Sequence, residues 1–352
     1  MILHFFEPPP FQTTGGLNLA VQSLKAFLEH SGVDVRSSSR IKELGESRTQ
    51  EVVHFHGIWQ PRFLKVSACC RKRGIRYVVS PHGMLEPWAW RHKWWKKWLY
   101  FHLIEKRHLA RAHRLLATSD SEAHNLRKFF PASQCEVLPL GSPMASKMPD
   151  YLRARAALGW NDSELILLFL SRIHPKKGLH LLLAALAEIG SQRNQRARLV
   201  IVGGGEPFYL QKLRRIQKGH RSRLPRVDWV GEVWSEKKWA YLQGADLFCL
   251  PSYSENFGLA VLEALQVGTR VLTTDQTPWC AVPSWGAGWI VPATADAVGA
   301  ALAEYLARPE WSVEQRSQLA KETCDRFSWD KIGPVYLRFY EGVLESAPPK
   351  PR

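Results

Sequence analysis

Short apolar or β-branched runs, each followed by a loop and a stretch with helical spacing, recur along the whole chain of 352 residues. Alternation of this kind leaves few folds open. Parallel strands joined by crossover helices bury both faces of a sheet, and a strand then reads as a nearly unbroken apolar run. Ile2–Phe6 reads as the first strand, and 17–31 is an amphipathic helix with Leu19, Leu24, Phe27 and Leu28 on its apolar side. Val52–Phe55 and Tyr77–Val79 are further strands. Ser119 and Glu122 have the spacing of a capping box and should open a helix running toward Phe130. The pattern breaks over 137–150, where Pro139, Gly141, Pro143 and Pro149 fall close together. A second series follows, with strands expected at Leu165–Leu170, Leu199–Val202, Val227–Val230, Leu247–Leu250, Arg270–Thr273 and Trp289–Val291. The expected class is α/β, with two Rossmann-like doubly wound domains facing a central cleft and a boundary near residue 150. Ligands of such sheets bind beyond the carboxyl ends of the strands, so chemistry is sought in the loops there.

Composition removes several alternatives. Hydrophobic residues make up 45% and charged residues 23%, which suits a globular chain and not a disordered or fibrous one. Six cysteines without a C-x-x-C pair argue against a disulfide scaffold or a cysteine zinc site, and for a reducing compartment. No run approaches a membrane span, and the N-terminus lacks the basic region of a signal peptide, so a cytoplasmic protein is expected. The net charge of +16 needs a reason. Residues 1–150 carry 22 Lys and Arg against 12 Asp and Glu. Eight of those bases fall between Arg91 and Arg114, interleaved with Trp94, Trp95 and Trp98 and just after Trp88 and Trp90. Two readings fit: a face for a polyanion such as an anionic membrane, or a solvated helix whose Trp95, Leu99 and Leu103 pack into the core.

Four loops carry candidate chemistry. Gly15 and Gly16 follow the first strand and open the first helix, a place where backbone amides meet an anion. Gly203-Gly204-Gly205 resembles the start of a dinucleotide fingerprint, but Phe208 stands where its last glycine belongs, which discounts nicotinamide cofactors. Arg172 and Lys177, after the strand ending at Leu170, are two cations at one sheet edge and match a diphosphate. Lys176 reads as an incidental surface lysine. Pro251–Ala264 is the most informative segment: a strand ends, Glu255 stands in a short loop, and a helix opens near Gly258. The amides of Asn256, Phe257 and Gly258 would point at an anion. Glu263 lies in an otherwise apolar helix, where a carboxylate is costly unless paired or hydrogen-bonded, as it would be to sugar hydroxyls.

Taken together these motifs resemble family 4 of the retaining, nucleotide-sugar-dependent glycosyltransferases of GT-B fold, over nearly the whole chain. Glu255 and Glu263 form the E-x7-E motif, and Ser171–Gly178 matches the segment with Arg and Lys. Gly15-Gly16 matches the N-terminal glycine loop, and Pro81-His82-Gly83-Met84 the loop with the active-site histidine. Phe327-Ser328-Trp329-Asp330 matches the F-S-W-D before the last helix. The resemblance implies an acceptor-side domain over 1–150, a nucleotide-sugar domain over 151–328, and a helix and tail over 329–352 that cross back to the first domain.

By that resemblance, Arg172 and Lys177 neutralise the donor diphosphate and stabilise the leaving nucleotide. Glu263 accepts from the ribose hydroxyls, Glu255 faces the donor sugar, residues 256–258 help hold sugar and phosphate, and His82 contacts the sugar. With Glu263 committed to the ribose, Glu255 has no second acid to pair with as in a glycosidase, so same-face substitution is the expected route. No D-x-D motif appears, so neither a metal nor a cofactor is expected. The implied partners are a nucleotide-diphosphate sugar, a saccharide or lipid-linked saccharide acceptor in cell-surface polysaccharide synthesis, and a peripheral contact with the inner face of an anionic membrane. Nucleic acid is not expected as a partner. Thr277-Pro278-Trp279 resembles a turn in the polysaccharide-building subset, with its role open. Pro139-Leu140-Gly141-Ser142-Pro143 departs from the family's P-N-G-V-D. His54 and His56, two residues apart, read as a buried hydrogen-bonded pair and not a metal site. An epimerase on the same fold is the alternative function, and a basic nucleic-acid-binding protein a more distant one.

Overall fold

A computed structural model describes residues 1–8, 16–37, 44, 50–91, 94–141, 150–190, 196–234, 236–308 and 310–346, leaving out the side chain of Leu17. The chain divides into two compact units, one made of Met1–Pro143 with Phe327–Arg352 and the other of Met144–Arg326. Each holds one parallel six-stranded sheet.

The first sheet contains β1 (Ile2–Phe6), β2 (Asp34–Ser37), β3 (Glu51–His56), β4 (Arg76–Ser80), β5 (Arg114–Ala117) and β6 (Cys135–Val137), in the order β2-β1-β3-β4-β5-β6. Its helices are α1 (Gly16–His30), α2 (Pro61–Arg73), α3 (Pro87–Arg91), α4 (Trp94–Tyr100), α5 (Lys106–Ala110) and α6 (Asp120–Arg127), with a π-helical turn over Phe101–Glu105. In the second unit run α7 (Tyr151–Ala157), β7 (Leu165–Leu170), α8 (Leu179–Ile189), β8 (Ala197–Val202), α9 (Pro207–Gly219), β9 (Arg226–Gly231), α10 (Lys237–Gly244) and β10 (Leu247–Leu250). They are followed by α11 (Leu259–Gln266), β11 (Arg270–Thr274), β12 (Gly288–Val291), α12 (Ala295–Ala307) and α13 (Val313–Phe327). The second sheet has the order β12-β11-β10-β7-β8-β9. The last helix, α14 (Trp329–Glu345), belongs to the first unit.

Strand alternation sorts the first unit's core into two layers. Val53 and Phe55 of β3 join Phe63, Leu109 and Leu126 on one face. Val52, one residue out of phase, joins Val21, Leu24 and Leu28 of α1 and Tyr336, Phe339 and Tyr340 of α14 on the other. The α/β class is therefore as expected, and α14 does return to the first unit. All six strands read from the second half are present. In the first half β2, β5 and β6 are not evident in the sequence: β2 is mostly exposed and β6 half-buried, so neither writes an unbroken apolar run, and β5 is a short RLLA.

Two expectations change. Trp95, Leu99 and Leu103 are not core: they are 55%, 48% and 59% exposed, together with Trp94 at 64% and Trp98 at 53%. Trp90 turns inward, against the β3 face of the core, with its indole donating to Leu85 O at 3.1 Å. The capping box is the second. Ser119 Oγ accepts from Glu122 N at 3.2 Å as expected, but the Glu122 carboxylate reaches elsewhere, as described below.

A buried carboxylate ties the second unit's strands to its helices. Asp246, just before β10, accepts from Tyr151 Oη at 2.7 Å, Arg155 Nη1 at 2.9 Å, Arg316 Nη2 at 3.2 Å and Ile166 N at 2.8 Å. Four donors make its burial tolerable and fix where β10 starts.

Candidate active site

The second sheet changes winding direction between β7 and β10. From β7 the chain steps outward through β8 and β9, then returns to place β10 on the other side of β7. The loops after β7 and β10 therefore leave a crevice between them, the usual ligand position of an open α/β sheet. Backbone contacts bring them together. Tyr253 N donates to Lys176 O at 2.8 Å, and Gly178, at φ 71°, sits so close to Pro251 that a Cβ would stand 1.9 Å from its carbonyl oxygen. Only glycine fits there, in a left-handed conformation and without a side chain.

That seam holds two of the expected residues in one ion pair. Lys177 Nζ donates to Glu255 Oε1 at 2.6 Å, and Ser252 Oγ donates to the same oxygen at 2.6 Å. Burial alone would raise the Glu255 carboxyl, but Lys177, the two side-chain hydrogen bonds and Lys176 outweigh it and hold it below the usual carboxylate range. Glu255 is thus a fixed anion, suited to accept from hydroxyl groups and poorly suited to take up a proton. Arg172 lies exposed on the loop after β7, ahead of Lys177.

The start of α11 follows directly. Gly258 is its N-cap, at φ 79°, and Phe257 is buried beside it. The Trp279 indole donates to Phe257 O at 2.6 Å and its ring meets the Phe257 ring edge-on at 5.5 Å. Thr277 Oγ1 in turn donates to Thr274 O at 2.8 Å. The Thr277-Pro278-Trp279 turn is therefore a brace for the 256–258 segment. Further along α11, Glu263 is buried as expected, and its partner is Lys238, whose Nζ donates to Oε1 at 2.7 Å. Burial raises the Glu263 carboxyl, and Lys238 offsets part of that rise. The Gly203–Gly205 run packs on the loop after β7: a Cβ on Gly203 would stand 1.9 Å from Ser171 O, and Gly205 forms a bridge with Ile173.

In the first unit the winding direction changes between β1 and β3. Gly16 is the first residue of α1, and Gly15 lies outside the described residues. His54 and His56, on the α14 face of β3, have ring centroids 3.9 Å apart with the rings tilted by 33°. His54 is hydrogen-bonded through Nδ1 to Tyr340 Oη and through Nε2 to Ser80 Oγ, each at 2.7 Å. His56 Nδ1 lies 3.1 Å from His82 Nε2. Desolvation keeps all three rings neutral, with His82 lowered to about 4 and the other two well below their usual value. His82 has φ 52°, a conformation that costs on the order of 1–3 kcal/mol in a residue with a Cβ and persists only where the surroundings enforce it. The loop turn closes through Met84 N to Pro81 O at 3.2 Å.

The structure thus gathers Lys177, Glu255, Asn256, Phe257 and Gly258 at one seam and places Glu263 one turn or more along the same helix. His82 stands in the other unit. Ser252, Lys238 and Trp279 complete these groupings, and sequence spacing had no means of pairing them with their partners. Among the described residues no three His, Cys, Asp or Glu converge as a metal-sized cluster, and no helix is long and apolar enough to cross a membrane.

Comparison with known sequences settles the family. Residues 150–325, half of the chain, match the family described as "Glycosyl transferases group 1", and residues 7–141 match a "Glycosyl transferase 4-like domain". The chain belongs to the group 1 glycosyltransferases. It is 30% identical over 257 residues to a D-inositol 3-phosphate glycosyltransferase of Segniliparus rotundus, an alignment spanning 67% of this chain and 54% of that protein. The chain spans about half the length of the curated relatives it matches. Among solved structures, sucrose-phosphate synthase from Thermosynechococcus elongatus superposes with a TM-score of 0.79 at 19% identity, covering 99% of this chain and 100% of that one. Anabaena HepE in complex with UDP-glucose gives a TM-score of 0.73 at 16% identity, over 97% of this chain and 100% of that one. Likeness at this identity is one of fold, the GT-B fold, and the two family matches fall one on each sheet.

Proposed function

We propose that this chain is a retaining hexosyltransferase, moving a hexose from a nucleotide-diphosphate sugar to a saccharide or lipid-linked saccharide acceptor during cell-surface polysaccharide synthesis. The observation that carries the reading is the Lys177–Glu255 pair at the winding reversal of the second sheet, a fixed cation beside a fixed anion at the start of α11. In this reading Lys177 and Arg172 face the diphosphate and stabilise the leaving nucleotide, with help from the amides of residues 256–258 at the positive end of α11. Glu255 accepts from the sugar hydroxyls, Glu263 from the ribose, and His82 meets the sugar as a neutral ring. The bond from the anomeric carbon to phosphate breaks, the bond to the acceptor oxygen forms on the same face, and the acceptor proton passes to the leaving phosphate. Holding Glu255 as a hydrogen-bonded anion argues against its service as that proton's acceptor. No metal or cofactor enters this scheme.

The reading extends to where the acceptor is met. Trp94, Trp98, Leu103 and Ile104 are exposed on α4 and the π turn, among Arg91, Lys96 and Arg107. Apolar rings set among cations suit the interface of an anionic membrane at its inner face, and so a lipid-linked acceptor.

The test is a melting and turnover series with UDP- and GDP-linked hexoses. A cognate donor at about a hundred times its Kd should stabilise the protein by about 2.7 kcal/mol. Nucleotide release should require acceptor, persist in excess chelator, and give a product with the donor's anomeric configuration. Glu255→Ala should keep the fold and lose roughly 10²–10³ in turnover. Conversion of the sugar without any acceptor would identify an epimerase instead, and wild-type turnover of Glu255→Ala would remove that residue from the site.

A further inference from the structure

Glu122 is a buried carboxylate that the proposed transfer leaves without a task. It is 2% exposed, and among the described residues no cation is paired with it. Three donors reach it from two segments: Gly83 N to Oε1 at 2.6 Å, and Thr118 N at 2.8 Å and Thr118 Oγ1 at 3.1 Å to Oε2. As a helix cap it is redundant, because Ser119 Oγ already holds the first turn of α6 through Glu122 N. In a capping box the acid turns back to the N-cap amide. Here one oxygen turns back to Thr118, one residue before the N-cap, and the other to the amide next to His82, across to the loop after β4.

That loop has something to be held. His82 and Gly83 both adopt positive φ, 52° and 74°. The His82 ring is positioned from one side by His56, at 3.1 Å and stacked at 5.4 Å between centroids. The backbone beneath it is held from the other side by Glu122. Its carboxyl oxygen lies 2.6 Å from the Gly83 amide, a short contact that fixes that N–H in one direction.

We infer that Glu122 is a positioning residue for His82: anchored on α6 and on Thr118, it grips the Gly83 amide and so sets the backbone from which the His82 ring is presented. The inference rests on the reading that His82 meets the donor sugar. Glu122 itself touches no substrate and acts only through the loop.

The experiment compares Glu122→Ala, Glu122→Gln, Ser119→Ala and His82→Ala, alone and with Glu122→Ala combined with His82→Ala, in the full-length protein. Glu122→Ala should lower kcat at least tenfold with the nucleotide-sugar KM within twofold, while Glu122→Gln, which keeps an acceptor for Gly83 N but sets an NH2 against Thr118 N–H, should restore part of it. Ser119→Ala, which removes the cap alone, should lower Tm and leave kcat unchanged. In the His82→Ala background Glu122→Ala should cost less than a further twofold, since its effect passes through that ring. Nitrogen-15 spectra of labelled histidines should show the His56–His82 signals displaced in Glu122→Ala and Glu122→Gln in that order of size, and undisturbed in Ser119→Ala. Should Glu122→Ala fail to fold, Glu122→Asp, whose reach is about 1.5 Å shorter, carries the same comparison. A kcat that follows Tm equally in the Glu122 and Ser119 variants, or unmoved histidine signals, overturns the inference. Wild-type kcat in His82→Ala with displaced signals in Glu122→Ala would overturn the role of His82 in transfer and leave Glu122 as the holder of its loop.

Discussion

Each carboxylate of the E-x7-E pair is matched by a lysine distant in sequence, and the two pairs differ in character. Glu255 is pulled below the ordinary range by Lys177, whereas burial leaves Glu263 raised in spite of Lys238. Removing Lys238 should therefore strand a buried anion. Lys238→Ala is expected to cost about 3 kcal/mol of stability at pH 8 and clearly less at pH 5, where Glu263 takes up a proton and the stranded charge disappears. Lys238→Met with Glu263→Leu should recover that stability and, on the proposed ribose contact of Glu263, bind the nucleotide sugar only weakly. Denaturant unfolding at the two pH values, with a donor titration, separates the outcomes, and equal losses at pH 5 and pH 8 would contradict the assignment. Glu255, Glu263 and Lys177 were legible in the sequence because a carboxylate in an apolar helix and a cation at a strand end are anomalies of local chemistry. Lys238 and Ser252 were not, since an exposed-looking lysine and a turn serine are locally ordinary.

At the level of elements, the Trp-rich segment shows what periodicity leaves undecided. Its spacing allowed a core-facing stripe or an outward one. Phe101 and Glu105 go inward at the π turn, and Trp94, Trp98 and Leu103 are left outside. A π turn adds a residue to the helical repeat and so rotates the stripe relative to an unbroken helix. If this face meets an anionic bilayer, the protein should co-sediment with phosphatidylcholine vesicles only when phosphatidylglycerol is included, and less as salt rises. Trp94→Ala with Trp98→Ala should weaken that binding about tenfold, or 1.4 kcal/mol, with turnover on a soluble acceptor unchanged. Absence of binding at any salt would end the membrane proposal. The Trp279 brace on Phe257 O is likewise an element-level device: three separate turns fix where α11 begins, and its positive end is only useful in one place.

Across the whole molecule, buried histidines set the acid limit. Burial lowers His54, His56, His82, His108 and His113, the last three to about 4, 3 and 4. Their folded values lie below the unfolded 6.5, so the unfolded chain binds more protons as pH falls from 6.5, and stability falls with it. Burial raises Glu105 and Glu122 to about 7, which works in the opposite sense between pH 7 and about 4.5. Each group shifts stability by up to about 1.4 kcal/mol per pH unit inside its own window. Burial also lowers His174 and His180 and raises Glu7 and Glu263, so seven histidines stand against four glutamates and Tm should drop between pH 6.5 and 5 in a buffer series. A flat or rising Tm over that interval would mean that these rings titrate freely in the folded protein.

The sequence by itself determined the α/β class, every strand of the second sheet, and which loop acids and cations are locally anomalous, because burial of both sheet faces writes continuous apolar runs and because buried acids and strand-end cations stand out against them. In the first sheet β2 is mostly exposed and β6 half-buried, so neither carries such a run. Only the tertiary structure decided which charges pair, which way the tryptophans point, and that Glu122 links the start of its own helix to the His82 loop. Those outcomes depend on contacts between segments far apart in the chain, which distance and burial settle and local spacing does not.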